Sequence, residues 1–529
     1  MELTREHFIL LLIQKIGNKA VSIDKSNQLN TVLKVNKYNL LEVCLFLEKE
    51  QGGRLFTMVG TDERKVTGYF SLYYVFAFDK YQVFMTVKID IDEAEPTFPS
   101  VSAELPAANW YEREVNDLLG LRALGHPDRR PLVLHGDWPE DVYPLRKDYD
   151  AKQMAPRVEN RESYMEYEGK EVVQIPVGPI HAGIIEPGHF RFGVVGDTVL
   201  HLDARLFFTH RGIEKIAEGM SLDKALLLAE RVCGVCAMSH AVSFAQAVED
   251  AANIDIPERA KYLRMVLLEL ERIYNHVGDV GNICAGFGFA VGISHGSRLK
   301  EQLLRLNEHI TGNRYLRGII ALGGLHRDIS SDDLKLILET LDEVAKSFDE
   351  LTEILLSHDI AVDRMATTGV LSLKQAEDLE VVGVAARASG RNVDCRKSHP
   401  YALYDKVKFN VVCDEHGDVL ARANIRIEEI KESMGIVKQA IANLVEGEVC
   451  TKVGMIRPYT IGIGWTESAR GENCHWLMIG PDNKVFRYRV RSATYNNWPA
   501  VALAVPGNIV PDFPVINKSF ELCYACCDR

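Results

Sequence analysis

The sequence predicts an α+β protein in two domains, an N-terminal α/β unit followed by a larger, mainly α-helical domain with small β-sheets at its edges. Three observations carry this expectation. At 529 residues the chain is too long for one ordinary domain. Helix-like and strand-like runs alternate over the first 145 residues, whereas long apolar stripes with 3 and 4 spacing dominate the remainder. Between them, residues 146–170 carry 12 charged side chains in 25 and few large aliphatics, the composition of a linker or a solvated excursion. The expected division is residues 1–147, a charged linker over 148–170, and 171–529.

In chain order, "EHFILLLIQKIG" and "NLLEVCLFLEKEQ" have helical spacing, and the aromatic and β-branched runs "YFSLYYVFAF" and "YQVFMTVKIDI" predict strands. "NWYEREVNDLLG" starts a further helix before a loop broken by Pro and Gly. Past the linker, "KEVVQIPVGPIHAG" and "HFRFGVVGDTVLHLDARL" alternate like strands with glycine turns. In "DIPERAKYLRMVLLELERIYNHVGDVG" the residues Leu263, Val266, Leu267, Leu270, Ile273, Tyr274 and Val277 share one helix face. Asp255 and Glu258 form the expected capping pair there, with Pro257 in the first turn, where its missing N–H costs nothing. A second long helix is predicted from "SSDDLKLILETLDEVAKSFDELTEILLSH", with Leu334, Leu338, Leu341, Ala345, Phe348 and Leu355 as its stripe, and a third from "RIEEIKESMGIVKQAIANLV". Stripes of this length bury one another, which predicts a helical bundle.

Composition narrows the function. Hydrophobic residues at 47% and charged residues at 26% belong to a folded protein, and no segment approaches the ~18 uninterrupted apolar residues of a membrane span. "MELTREHFILLLIQKIG" has an acid at position 2 and an amphipathic pattern behind it, unlike a signal peptide. A net charge of −13 argues against nucleic acid as a partner. Eleven cysteines in such a chain read as reduced thiols or metal ligands before they read as disulfides.

Cys44, Cys284, Cys395, Cys413, Cys450 and Cys474 stand alone, the pattern of small buried hydrophobes. Four others form two CxxC pairs almost 290 residues apart, Cys233 with Cys236 in "ERVCGVC" and Cys523 with Cys526 in "ELCYAC". Each pair places two thiolates on one soft ion, and two pairs supply four. By spacing alone a tetrahedral structural zinc is the first reading. Against it, the pairs bracket a large helical region with its own core, the second pair lies at the last residues, and Gly234 lets backbone approach the metal. A metal held so deep suits reaction better than stapling. Cys527 would point elsewhere.

At these residues the chain resembles a known family. "RVCGVCAMSH" and "LCYACCDR" are similar to the paired motifs of the large subunit of nickel–iron hydrogenases, in the membrane-associated group related to respiratory complex I that includes formate hydrogenlyase. "GPIHAGIIEPGHFRF", "FFTHRGIEK", "AARASG", "ARGENCHW" and "RSATYNNWP" follow in that family's order. The first domain, with "NWYEREVNDLLG" and "GHPDRRPLVL", resembles the 30-kDa-type subunit of complex I and would be a docking module. The resemblance implies a hydrogenase large-subunit fold for residues 171–529 and a catalytic subunit that reversibly reduces protons to hydrogen.

It also implies a site. Cys233, Cys236, Cys523 and Cys526 would be four nickel thiolates, with Cys236 and Cys526 bridging to an iron that carries carbon monoxide and cyanide. Arg470 matches the arginine that overhangs the open nickel–iron edge. Glu186 matches the carboxylate that passes protons to and from a terminal thiolate, and an acid between apolar stretches is costly to bury unless hydrogen-bonded or working. His240 matches the histidine that donates to a bridging thiolate; His181 and His189 flank the Glu186 segment. Arg529 holds the position after which relatives lose a C-terminal extension, and Glu214 in "HRGIEK" is expected to pair with its guanidinium. The chain departs from the family at Glu521-Leu522, where Asp-Pro is usual, and at Ser468-Ala469, where Pro usually precedes the arginine.

No iron–sulfur ligand set remains once these cysteines are assigned, so electrons would come from a small subunit carrying an iron–sulfur cluster. Other complex I-like hydrophilic and membrane subunits would hold the chain peripherally on the cytoplasmic side of the inner membrane. The alternative from another class is a non-catalytic structural subunit of a complex I-like assembly, with zinc or nothing on the same thiols.

Overall fold

The computed structural model describes residues 4–529 apart from 26, 28, 154, 163, 166–168, 170, 183 and 184. The chain divides into two units, Met1–Met165 together with Arg205–Ile216, and Glu166–Ala204 together with Ala217–Arg529.

In the first unit, α1 (Arg5–Ile16) precedes strands β1 (Ala20–Asp24), β2 (Asn30–Val35), β3 (Arg54–Asp62), β4 (Phe70–Phe78) and β5 (Val83–Ile91), and α2 (Asn109–Leu119) follows. The sheet order is β1-β2-β5-β4-β3, with β2 and β5 parallel and the other neighbours antiparallel. Every residue of β3 and β4 is buried, so β4 reads as a nearly continuous apolar and aromatic run, while β3 also buries Arg54, Thr57, Thr61 and Asp62. A Cβ added at Gly60 on β3 would come within 2.6 Å of Leu119 on α2, so the missing side chain lets the helix lie close to the strand. Glu112 on the same helix is wholly buried, and accepts from Ser100 Oγ (2.5 Å), Ser102 Oγ (2.6 Å) and the Val101 N–H (2.8 Å). With the Tyr74 hydroxyl at 3.3 Å, four donors replace the water it has lost.

The second unit opens with a three-stranded sheet of β6 (Val173–Val177), β7 (His189–Val195) and β8 (Thr198–Arg205), β7 in the middle. Helices α3 (Leu222–Ala229), α4 (Ala237–Ala252), α5 (Glu258–Ala285), α6 (Ala290–Thr311), α7 (Ser331–Leu356) and α8 (Val419–Ala442) build the bundle. All seven apolar residues expected to line α5 are buried. Two sequence expectations change here. Pro257 is the N-cap of α5, without a side-chain bond; Asp255 lies two residues too early to cap and pairs instead with Lys261 at 2.5 Å. On α7 the buried seam runs through Leu334, Ile337, Leu341, Val344, Phe348, Leu351 and Leu355, while Leu338 and Ala345 stay half-exposed. The alternating 3 and 4 steps keep one face inward, and the β-branched Ile337 and Val344 take the places expected for their neighbours. Among the lone cysteines, Cys413 is exposed and Cys450 partly so, contrary to expectation; each thiol lies on a loop.

Beside the bundle lies an antiparallel meander of β9 (Ile461–Ser468), β10 (Gly471–Ile479) and β11 (Val485–Arg491), followed by α9 (Ala493–Ala504), α10 (Phe513–Phe520) and the short α11 (Tyr524–Asp528). Helix α4 rests directly on β9. A Cβ at Gly464 would fall 2.0 Å from the Ser243 carbonyl oxygen, and one at Gly462 would fall 1.9 Å from that of Ala247. Only glycine permits this approach, and it fixes α4 against the strand that leads to Arg470. No helix among the described residues is long and apolar enough to cross a membrane.

Gly464→Ala is therefore expected to destabilise the protein by about 1–3 kcal/mol, the usual range for overpacking. Gly435→Ala, on α8 where an added Cβ meets nothing within 4 Å, is expected to be neutral or mildly stabilising. Thermal denaturation of the two variants checks the contrast.

Candidate metal centre

After α3 the chain turns through Cys233-Gly234-Val235-Cys236, and Cys236 becomes the N-cap of α4. Three groups from α5 hold the turn. Tyr274 Oη and Asn275 Nδ2 donate to the Val235 carbonyl at 3.1 and 2.8 Å. Glu271 accepts from the backbone N–H groups of Met238 (2.7 Å) and Ser239 (2.9 Å) and from the Ser239 hydroxyl. A carboxylate from a neighbouring helix thus caps α4, where the helix dipole favours negative charge.

The second half-site comes from the other end of the chain. Helix α10 ends at Glu521 with φ 53° and ψ 39°, a left-handed residue that redirects the backbone so Cys523 can start α11. Glu186 Oε2 accepts the Ala525 N–H at 2.8 Å, Ser492 Oγ donates to the Cys526 carbonyl at 3.0 Å, and Arg529 Nη1 donates to the Val490 carbonyl at 2.9 Å. Residues Cys526 to Arg529 are consequently buried.

These turns bring the two pairs together. The sulfurs of Cys236 and Cys526 are 3.8 Å apart, and the sulfurs of Cys233, Cys236 and Cys526 all lie within 4.8 Å of one another. Cys523, partly exposed, faces Cys233. Hydrogen bonds from Cys236, Cys523 and Cys526 hold Cys233 well below the usual thiol range, and the Val235 N–H adds a donor at 3.3 Å. The bond to Cys233, together with burial, raises Cys236 and Cys523, and burial raises Cys526. Four free thiols crowded in a dry pocket are a donor set that a soft divalent cation fits, because it supplies the positive charge that full deprotonation needs.

Arg470 stands beside Cys523, and both its terminal nitrogens bind Asp279, with Nη2 to Oδ1 at 2.9 Å. Burial would raise Asp279, but Arg470, with His276 and Arg426, holds it well below the ordinary carboxylate range. Glu521 lies 3.7 Å from Arg470 Nη2 and accepts from Asn282 Nδ2 at 2.5 Å; burial, with Asp279 nearby, raises it to about 7. Ser468 Oγ donates to the Gly471 carbonyl at 2.8 Å and receives the Arg470 N–H at 3.2 Å, so the tight turn forms without the usual proline. His240 Nε2 is 3.2 Å from Cys526 Sγ, and its Nδ1 is 2.8 Å from His475 Nε2. His181 and His189 bond the carbonyls of Gly188 (2.7 Å) and Gly178 (3.2 Å), which closes the loop carrying Glu186. Glu214, buried on Ile213–Ala217, belongs to the first unit.

Sequence reasoning missed Asp279, Glu271, His475 and Tyr488. The two acids stand among other charged residues of the same helix, Arg264, Glu269 and Arg272 with them, so spacing alone did not single them out. The other two sit on strands buried on both faces, where a polar residue gives no periodic cue.

Comparison with known proteins bears on the whole chain. A family model described as the respiratory-chain NADH dehydrogenase 49 kDa subunit matches residues 287–461 and 452–529, one for the 30 kDa subunit matches 33–155, and one for nickel-dependent hydrogenase matches 211–279. The chain is 37% identical to formate hydrogenlyase subunit 5 of Escherichia coli (strain K12), over 95% of this chain and 89% of that one. It is 36% identical to hydrogenase-4 component G of the same organism, over 93% and 87%. With the carbon monoxide-induced hydrogenase of Rhodospirillum rubrum it shares 33% identity, over 67% of this chain and 99% of the other.

Glu271 yields a pH dependence. Burial raises it from 4.5 to about 7, so between those values the folded protein keeps a proton that the unfolded chain has released. Its contribution to stability is complete below about 4.5 and is lost as pH rises through about 7. In metal-free protein, Glu271→Gln should reduce the fall in melting temperature across that interval; parallel profiles for variant and wild type would refute this.

Proposed function

Because the chain belongs to the large subunits of complex I-related nickel–iron hydrogenases, we propose that Cys233, Cys236, Cys523 and Cys526 hold its nickel–iron centre and that the neighbouring charged groups serve hydrogen turnover. The chain is the catalytic subunit of a formate hydrogenlyase-like assembly. The observation that carries the site assignment is the meeting of two CxxC pairs from opposite ends of the second unit, with Cys236 and Cys526 sulfurs 3.8 Å apart. Cys236 and Cys526 would hold the iron as well as the nickel, and that iron would carry carbon monoxide and cyanide. When bound, the metal pair supplies a redox-active, Lewis-acidic edge at which hydrogen is split or formed.

The chain's own residues have separable tasks. Glu186, half-buried and anchored on the Ala525 N–H between the last two ligands, takes and releases protons beside those sulfurs. Arg470 remains a fixed cation because Asp279 neutralises and orients it, and its field at Cys523 favours the charged form of that thiol. Electrons arrive from an iron–sulfur small subunit, and partner subunits hold the assembly on the cytoplasmic face of the inner membrane. The relatives support this reading, since they are named as hydrogenase components and subunits of larger enzymes.

The zinc-bearing structural subunit is the rival that metal content separates. Purified complex is expected to contain nickel and iron and to show infrared bands of metal-bound carbonyl and cyanide; zinc alone without those bands reverses the assignment. Glu186→Gln should then lower hydrogen turnover by about 10²–10⁴-fold, the usual contribution of a positioned proton carrier, with the bands retained. Turnover at the wild-type rate would send the protons by another route.

A further inference from the structure

Three hydrogen bonds run in series away from Cys526. His240 Nε2 meets its sulfur at 3.2 Å, His240 Nδ1 meets His475 Nε2 at 2.8 Å, and Tyr488 Oη meets His475 Nδ1 at 2.9 Å. The three residues come from α4, β10 and β11, and none has measurable exposure. Phe244 presses edge-on against both the His475 and Tyr488 rings, with centroids 6.5 and 5.4 Å away, and fills the space beside the chain with apolar surface.

We propose that Tyr488 and His475 set the direction of hydrogen bonding in this chain, so that His240 presents an N–H to the Cys526 sulfur and withdraws electron density from it. The proposal rests on the reading of Cys526 as a metal ligand. A metal-bound thiolate carries no hydrogen, so the bond at 3.2 Å needs a donor on His240 Nε2. A neutral imidazole has one donor and one acceptor nitrogen. His240 Nδ1 is then an acceptor, His475 Nε2 a donor and His475 Nδ1 an acceptor, which leaves the Tyr488 hydroxyl as the terminal donor. Burial, with His240 and Arg491 nearby, pushes His475 well below the ordinary imidazole range, consistent with a neutral His475 ring. With both rings neutral, the reversed order would require a hydrogen on Cys526.

Tyr488 is the one member whose hydrogen can rotate away, and it lies at the far end of the chain. Without its hydroxyl, the protein no longer favours one His475 tautomer over the other. In the wrong tautomer His475 turns a lone pair toward His240 Nδ1, a neutral His240 then carries its single hydrogen there, and its Nε2 lone pair faces the anionic sulfur. Bonds in such a series also polarise one another, so loss at the end weakens each link. Tyr488 and His475 are therefore positioning residues, acting through His240.

The infrared spectrum of the purified, metal-loaded complex tests this apart from activity. A sulfur relieved of its hydrogen bond is more electron-rich, so Tyr488→Phe should move the metal-bound carbonyl band to lower frequency. His475→Gln supplies an amide N–H to His240 without reference to position 488, so the band should stay near its wild-type place, and adding Tyr488→Phe to that background should move it no further. A Tyr488→Phe band at the wild-type frequency, or an equal shift in both backgrounds, overturns the proposal. Bands arise only from loaded sites, so partial occupancy does not obscure the comparison. Wild-type protein without nickel or carbonyl bands would overturn instead the assignment of Cys526 as a ligand.

Discussion

Everything around the site depends on holding Cys526 within 3.8 Å of Cys236 across 290 positions of sequence. Four thiols do not hold such a juncture unaided, because crowded sulfurs in a dry pocket repel as soon as they ionise. The scaffold meets this from both sides. Helix α4 is pressed on β9 by the absent side chains of Gly462 and Gly464, and its first turn is fixed by Glu271 from α5. The last four residues are buried, and Ala525, Cys526 and Arg529 are bonded to Glu186, Ser492 and Val490 respectively. A metal ion then has a nearly formed cradle to enter, and its binding energy is not spent on folding a loop, unlike in a small zinc module.

Buried charge has the same positioning role. Arg470, Asp279 and Arg426 form one cluster, and His276 joins it to Glu429, whose carboxylate is held by Arg387 at 2.7 Å. Such networks add little net stability over apolar packing, yet losing one partner leaves an uncompensated buried charge and costs about 3–5 kcal/mol. Their value here lies in geometry. Arg422 donates to Ser519 Oγ at 2.8 Å and Arg426 to the Phe520 carbonyl at 3.3 Å, so two cations from α8 sit at the C-terminal end of α10, where unpaired carbonyls and the helix dipole favour them. That end of α10 delivers Cys523 and Cys526.

Wherever a pattern repeats, the sequence was legible. The α5 face, the strands β4 and β5, the helical bundle and the two CxxC pairs follow from spacing alone, and the family resemblance pointed to Glu186, His240 and Arg470 near those pairs. Legibility failed where geometry is decided by something other than period. On α7 four of the six expected stripe residues are buried, but Ile337 and Val344 take the places of their neighbours Leu338 and Ala345, and packing, not spacing, makes that choice. Strand β1 alternates Val21, Ser22, Ile23 and Asp24 over only four residues and exposes all of them, while β3 is buried on both faces and interrupted by Gly60. Glu271 and Asp279 looked like the solvated side of an amphipathic helix; a 28-residue helix buried on nearly every side needs its acids paired, and that need appears only once α4 and Arg470 are beside it.

The departure at Glu521-Leu522 shows how a changed residue can keep a geometry. In the left-handed conformation the backbone at Glu521 turns away from α10, and a left-handed non-glycine residue costs roughly 1–2 kcal/mol. Its side chain is long enough to accept from Asn282 on α5 with one oxygen and to approach Arg470 to 3.7 Å with the other. Lys518 donates to the Asn282 carbonyl oxygen at 3.0 Å, which orients the amide for that bond. Leu522 is buried, so apolar packing holds the turn before Cys523. The acid therefore lies beside the arginine because contacts with α5, and not the local backbone alone, fix where its carboxylate points.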